Sequence, residues 1–185
     1  VVFAGMGEST DLDRDVSSVT YAAEALAEGR RQDDATNNIT SELWYASGAN
    51  TGANNVVVTF VGNVEDGVIY ASSYTGVDQS TPLDASNGAT QGNSTSISYS
   101  LITVADNAWI VDSAISNDYN ANGTGNAYCV PGSGQTEMLD FADFDSHCAA
   151  CYTDRQVAKQ STHQPLYPRT RTSRDRRARR KRRHH

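Results

Sequence analysis

Three strand-like stretches do most to limit what this chain can become: ELWYASGANTGANNVVVTF (42–60), GVIYASSYTGVDQSTPLDA (67–85) and ISYSLITVADNAWIVDSA (97–114). Each mixes β-branched and aromatic residues in short runs, and each is bounded by Gly, Asn, Asp or Pro. Strands joined by turns have this composition, because branched and aromatic side chains fit a pleated surface and the bounding residues fit turns. None of the three contains a catalytic motif. They speak for architecture before activity.

The rest of the chain agrees. VVFAGMG (1–7) reads as a strand whose glycines let a neighbour pack close, and VSSVTY (16–21) as a second strand after an acidic loop. The stretch from Ala22 to Glu28 favours a short helix by propensity alone, but it lacks an apolar stripe. In SELWYAS, Leu43 and Tyr45 fall on one face and Trp44 on the other. NNVVVTFVG has the β-branched run of a central strand, VEDGVIYASSYTGV reads as a turn and a long strand, and SISYSLITV as another strand. AWIVDSAIS follows the turn at 105–107, and GSGQTEMLDF opens the last strand that can be recognised. About eight strands without alternating helices predict an all-β domain, an antiparallel β-sandwich or jelly roll.

The formal charge of -7 conceals two unlike parts. Residues 155–185 hold 12 of the 15 basic residues and one acid, Asp175, giving that part about +11. Before Arg155 only Arg14, Arg30 and Arg31 oppose 21 acids, leaving a lysine-free body near -18. The predicted organisation is a sandwich domain over 1–154 and an Arg-rich tail over 155–185, the tail disordered or extended for want of hydrophobic periodicity. An acidic, Asn/Ser/Thr/Gly-rich body suits an extracellular protein and repels nucleic acid and anionic lipid. No apolar run approaches the roughly 18 residues of a spanning helix. The start at Val1, without a basic stretch or leader core, reads as a processed or partial chain.

At this point the words VTY, ELWY, VTF, GVDQSTPLDA, VADNAWIVD and GSGQTE, in that order over Val1 to Tyr152, resemble a family of bacterial and phage-associated extracellular domains. The resemblance implies a concanavalin-like or jelly-roll sandwich, mostly of unassigned function. It is most specific in GVDQSTP and DNAWIVD. It also implies that Ala22 to Glu28 is a β-hairpin arm, although Ala22 and Ala23 stand where the family tends to have glycine. Relatives usually carry further strands before the segment matching VVFAGMG. A sandwich without its first strand leaves a sheet edge and a core cleft open to strand addition. After Cys151 the family pattern stops.

Side chains that bear chemistry are few. Asp11, Asp13 and Asp15 begin like a calcium loop, but the EF-hand positions for Gly and Glu hold Val16 and Ala22; a looser calcium site and a solvated loop both remain open. Asp140, Asp143 and Asp145 invite the same two readings. Cys129, Cys148 and Cys151 with His147 match part of a zinc set, yet no second C-x-x-C is present. For an extracellular chain they are disulfide candidates, Cys129 joining Cys148 or Cys151 and one thiol left over. No G-x-S-x-G, H-E-x-x-H or phosphate loop occurs, and all four histidines lie at or after 147, so the chain is expected not to be an enzyme and to need no cofactor beyond calcium. Trp44 and Trp109 sit in strand words and are expected in the core. Tyr119 and Tyr128 flank an Asn-rich loop and are the candidates for stacking on a glycan ring. Asn38, Asn93 and Asn122 head glycosylation sequons.

The expected function is a non-enzymatic structural or adhesive subunit of a cell-surface assembly, filament or virion, assembling through an exposed sheet edge and the basic tail. A carbohydrate-binding module is the second reading. A jelly-roll capsid-type protein whose Arg-rich arm binds nucleic acid is the third. Fold analogy alone does not choose among them.

Overall fold

The computed structural model describes residues 1–7, 15–36, 38–64, 66–92, 94–116, 130–142 and 149–157. Among them are ten strands and no helix: β1 (Val2–Gly7), β2 (Val16–Tyr21), β3 (Glu24–Ala25), β4 (Ala27–Asp34), β5 (Ile39–Tyr45), β6 (Val56–Phe60), β7 (Asp66–Ala71), β8 (Trp109–Ser116), β9 (Thr136–Ala142) and β10 (Ala149–Gln156). All pairings are antiparallel, in three sheets ordered β4-β5-β1-β7, β3-β2-β6 and β8-β10-β9. The all-β sandwich class is as the turn-punctuated strands predict. No described helix is long and apolar enough to cross a membrane.

The hub is β1, hydrogen-bonded to β5 on one side and β7 on the other. Side chains alternate across a strand, so its residues fall into two sets. Val2, Ala4 and Met6 join Val16, Val19, Leu26 and Trp44 in one cluster, with Tyr21, Val56, Val58 and Phe60 of the β3-β2-β6 sheet against them. Phe3 points the other way, into a cluster with Ala150 and Tyr152 flanked by Val111 and Leu139 of the β8-β10-β9 sheet. Thus the four-stranded sheet is covered on both faces around β1. Double burial is why VFAGMG lacks polar alternation. The glycine reading holds at Gly5, where an added Cβ would lie 2.7 Å from Phe3 Cζ and 3.1 Å from Ile115 Cδ1.

The hairpin reading of Ala22 to Glu28 prevails over helix propensity. Ala22 and Ala23 have φ of 53° and 65°, the left-handed values that a two-residue turn needs between paired Tyr21 and Glu24. Leu26 N then donates to Val19 O, and its buried side chain marks where the chain leaves one sheet for the next as β4.

Several expectations change. The open edge does not lie beside β1, which is paired on both sides. NNVVVTFVG contains β6, but as an edge strand bonded only to β2 rather than a central one. The long strand after Gly67 stops at Ala71. SISYSLITV forms no strand: from Ser72 to Ala108 no described residue joins a ladder. The chain after Cys151 stays in the fold, because β10 runs to Gln156 at the centre of its sheet, so Arg155 and Gln156 belong to the sheet. Trp44 is core at 8 % exposure, whereas Trp109 is not, at 39 %.

Candidate functional site

Two features of the described surface stand out: an aromatic corner beside β10, and an uncharged edge strand, β6, paired on one side only.

The corner grows from Tyr152, fully buried near the middle of β10, which packs on Tyr70 with ring centroids 4.9 Å apart and on Phe3 at 6.3 Å. Its hydroxyl meets Ser72 Oγ at 2.8 Å and the Tyr74 hydroxyl at 3.0 Å, and Tyr74 donates to Asp154 Oδ2 at 3.1 Å. Tyr152 and Asp154 are two residues apart on β10 and so share a face, and Ser72 and Tyr74 reach it from the end of β7. Burial pushes the phenols of Tyr152 and Tyr74 above the usual tyrosine range, so at neutral pH both are protonated hydrogen-bond partners. Tyr74 then lies against Trp109 of β8, centroids 5.2 Å apart and planes at 48°. The outcome is an indole partly open to water, seated on a chain of fixed hydroxyls.

A second polar cluster pins the strandless segment. Tyr99 donates to Asp112 Oδ1, and the Gln135 side-chain amide donates to Asp112 Oδ2 and to Thr153 Oγ1, the latter at 3.1 Å. Gly132 N closes the cluster by donating to Gln135 Oε1 at 2.7 Å. Burial first, then the Asp112 charge, raises the Tyr99 phenol far above its usual range. Both carboxylates, Asp112 and Asp154, are therefore engaged as acceptors. Between the strandless segment and the sheets runs an open cleft of ≈ 2620 Å³, lined among others by Arg30, Tyr45, Tyr74, Tyr99 and Trp109. It exceeds the roughly 300–1,000 Å³ of a small-molecule pocket and is better described as a groove.

The word GVDQSTP has a local job. Asp78 Oδ1 accepts from Ser80 N at 2.7 Å and Thr81 N at 3.1 Å, an Asx-type turn, and those two N–H groups hold its carboxyl below the usual range. Gln79 Oε1 accepts from Gly48 N at 2.6 Å, tying this turn to the loop after β5.

The second feature concerns sheet edges. Edge strands invite unwanted pairing and are commonly guarded by charge. Here β3 carries Glu24, β4 carries Glu28, Arg30, Arg31, Asp33 and Asp34, β7 Asp66, β8 Asp112, and β9 Glu137 and Asp140. VVVTF of β6 has no charge at all, and Val57 and nearby Val61 are half-exposed or more.

Of the sequence candidates, Tyr119, Tyr128, Asp11, Asp13, Cys129, Cys148, Asn93 and Asn122 lie outside the described residues. Asp15 is described: it pairs with Arg31, and its carbonyl accepts from Val61 N at 2.9 Å. Asn38 sits in the β4–β5 turn at φ 54°, and the Thr40 of its sequon is buried with Oγ1 donating to Asp33. Cys151 is buried on β10 and is not a free thiol. Sequence reasoning missed the Trp109–Tyr74 corner. The clue available was that Trp109 opens its strand, directly after a turn, where a side chain meets the rim of a sheet. Comparison with protein-family models, curated proteins and solved structures finds no match to this chain.

Proposed function

We propose that this chain is a non-enzymatic, extracellular structural or adhesive subunit that assembles with copies of itself by adding strands at an open sheet edge. The observation that carries this reading is β6: five uncharged β-formers in register with β2 on one side and with no strand on the other among the described residues. Other described edges carry charge, so the exception marks a surface meant to be covered. An acidic, lysine-free body and a buried, engaged Cys151 support an oxidising, extracellular setting, and we assign Cys151 a disulfide to Cys129 or Cys148. The basic tail adds long-range attraction to a neighbour's acidic body. Electron microscopy of the full chain across a concentration series tests the proposal. Filaments or shells support it; dispersed monomers at every concentration and salt overturn it.

A glycan-binding reading comes second, supported by the half-open indole of Trp109 on Tyr74. Ring faces of this kind stack on pyranoses. Saturable binding on a glycan array, lost in Trp109→Ala, is its required result.

A further inference from the structure

The strandless segment carries an inference that rests on the reading of β6 as an assembly edge and names its occupant. Ser96–Val104, SISYSLITV, has no charge and no proline, its sequence alternates from Ser96 to Leu101, and its burial alternates from Ser98 to Val104, with Ile97 exposed. Tyr99, Leu101 and Thr103 are half-buried, whereas Ser98, Ser100, Ile102 and Val104 are exposed, Ile102 at 65 % and Val104 at 74 %. This is the pattern of a strand with one face on a core. Yet no backbone–backbone hydrogen bond reaches the segment among the described residues. Its backbone meets only side chains: Asn87 Nδ2 on Ser100 O at 2.6 Å, Asp84 Oδ2 on Val104 N at 2.6 Å, and Ser94 Oγ on Ser96. Loops as long as Ser72–Ala108 are uncommon in compact domains and usually serve a function. The segment has the alternating burial of a strand and no ladder.

β6 is a ladder lacking a strand. Val61 N and Asn55 O both point back toward β2 and its turn, bonded to Asp15 O and Ala22 N. Backbone groups alternate sides along a strand, so the N–H and C=O of Val56, Val58 and Phe60 face the open edge. Two uncharged, β-prone segments in one chain, each with unused backbone donors and acceptors, are complementary in the one respect that matters for pairing. Like segments free of charge and proline are those that stack between chains.

We infer that the occupant of the β6 edge is Ser96–Val104 of a second copy. Donor and acceptor surfaces differ, so the contact is heterologous and grows head to tail. The partner is this chain itself.

A complementation experiment tests it, using full-length protein in sedimentation velocity at low and high salt. Val58→Pro removes a donor from the open side of β6 and leaves the β2 side intact; Ile102→Pro blocks the donor segment, where the fold uses no backbone donor. Wild type is expected to form a concentration-dependent ladder. Each variant alone is expected to weaken association at least about tenfold. Their equimolar mixture is expected to form dimers and nothing larger, since one copy retains the donor and the other the edge. A misfolded variant cannot complement, so dimers also certify both folds. Association lost in Val58→Pro but retained in Ile102→Pro overturns the donor assignment and leaves the assembly edge standing. Association indifferent to both variants, or a wild type that is monomeric throughout, overturns the donor and the edge together. A mixture without dimers, from variants that keep wild-type circular dichroism, overturns the pairing of these two segments.

Discussion

At the scale of single residues, the fold retains two strained choices. Ala22 and Ala23 hold left-handed φ values in a turn that Asn-Gly would form without Cβ strain. Left-handed conformations cost an L-residue about 1–2 kcal/mol each, so the double change Ala22→Asn/Ala23→Gly is expected to stabilise the domain by about 1 kcal/mol or more. Urea unfolding decides this, and an unchanged midpoint would refute it. The second choice is Glu42, fully buried between sheets, with Oε1 accepting from Val16 N at 3.1 Å and Oε2 from Trp44 Nε1 at 2.8 Å. Both carboxyl oxygens can accept in either protonation state, whereas the glutamine NH2 accepts from neither neighbour, so Glu42→Gln is expected to cost about 1–3 kcal/mol. Desolvation outweighs those two N–H groups and the Arg31 charge, raising the carboxyl above its usual range. A folded-state value above the unfolded one means stability present at low pH and lost as pH rises through the folded value. The gap between wild type and Glu42→Gln should therefore narrow as pH is raised from about 4 to about 8. A gap that widened instead would show the carboxylate form to be the favoured one.

Elements show what sequence can and cannot reveal. β2, β5 and β6 were legible because short runs of β-branched and aromatic residues lie between clear turns, and the all-β class followed from them. The hairpin at Ala22 needed more than propensity, since two alanines speak for helix until the Tyr21–Glu24 pairing is known. β10 was not legible at all: its first residues read as a cysteine group and Asp154 and Arg155 as loop, and only β8 and β9 on either side make Ala149–Gln156 a central strand in which Thr153 and Asp154 are buried. Trp44 and Trp109 both occur in strand words. What separates them is register, Trp44 lying opposite Val2 inside the core while Trp109 pairs with Gln156 at a sheet end. β6 misled in the opposite sense, because a run of valines cannot say whether both its sides are filled. Where sheets press on β1, Gly5 permits the approach of Ile115, and Gly5→Val is expected to cost about 1–3 kcal/mol through overpacking. A thermal midpoint equal to that of wild type would contradict so close a contact.

Across the whole molecule, protection from hydrogen exchange should follow the layering. Amides of β1 are expected to exchange slowest, being bonded on both sides and covered on both faces, while those of 96–104 exchange fastest in dilute solution and slow as concentration rises. Equal rates in the two regions would contradict the stacking order. Centrality of β1 also bears on how the polypeptide is made. One neighbour is β7, 59 to 69 positions on, and the cover on its Phe3 face comes from Ala150 and Tyr152. During synthesis the Val2, Ala4 and Met6 face can be covered once residues 16–60 are made, whereas the Phe3 face waits uncovered until Ala150 and Tyr152 leave the ribosome. Such distant closure makes slow folding, with a long interval in which chaperones have something to hold.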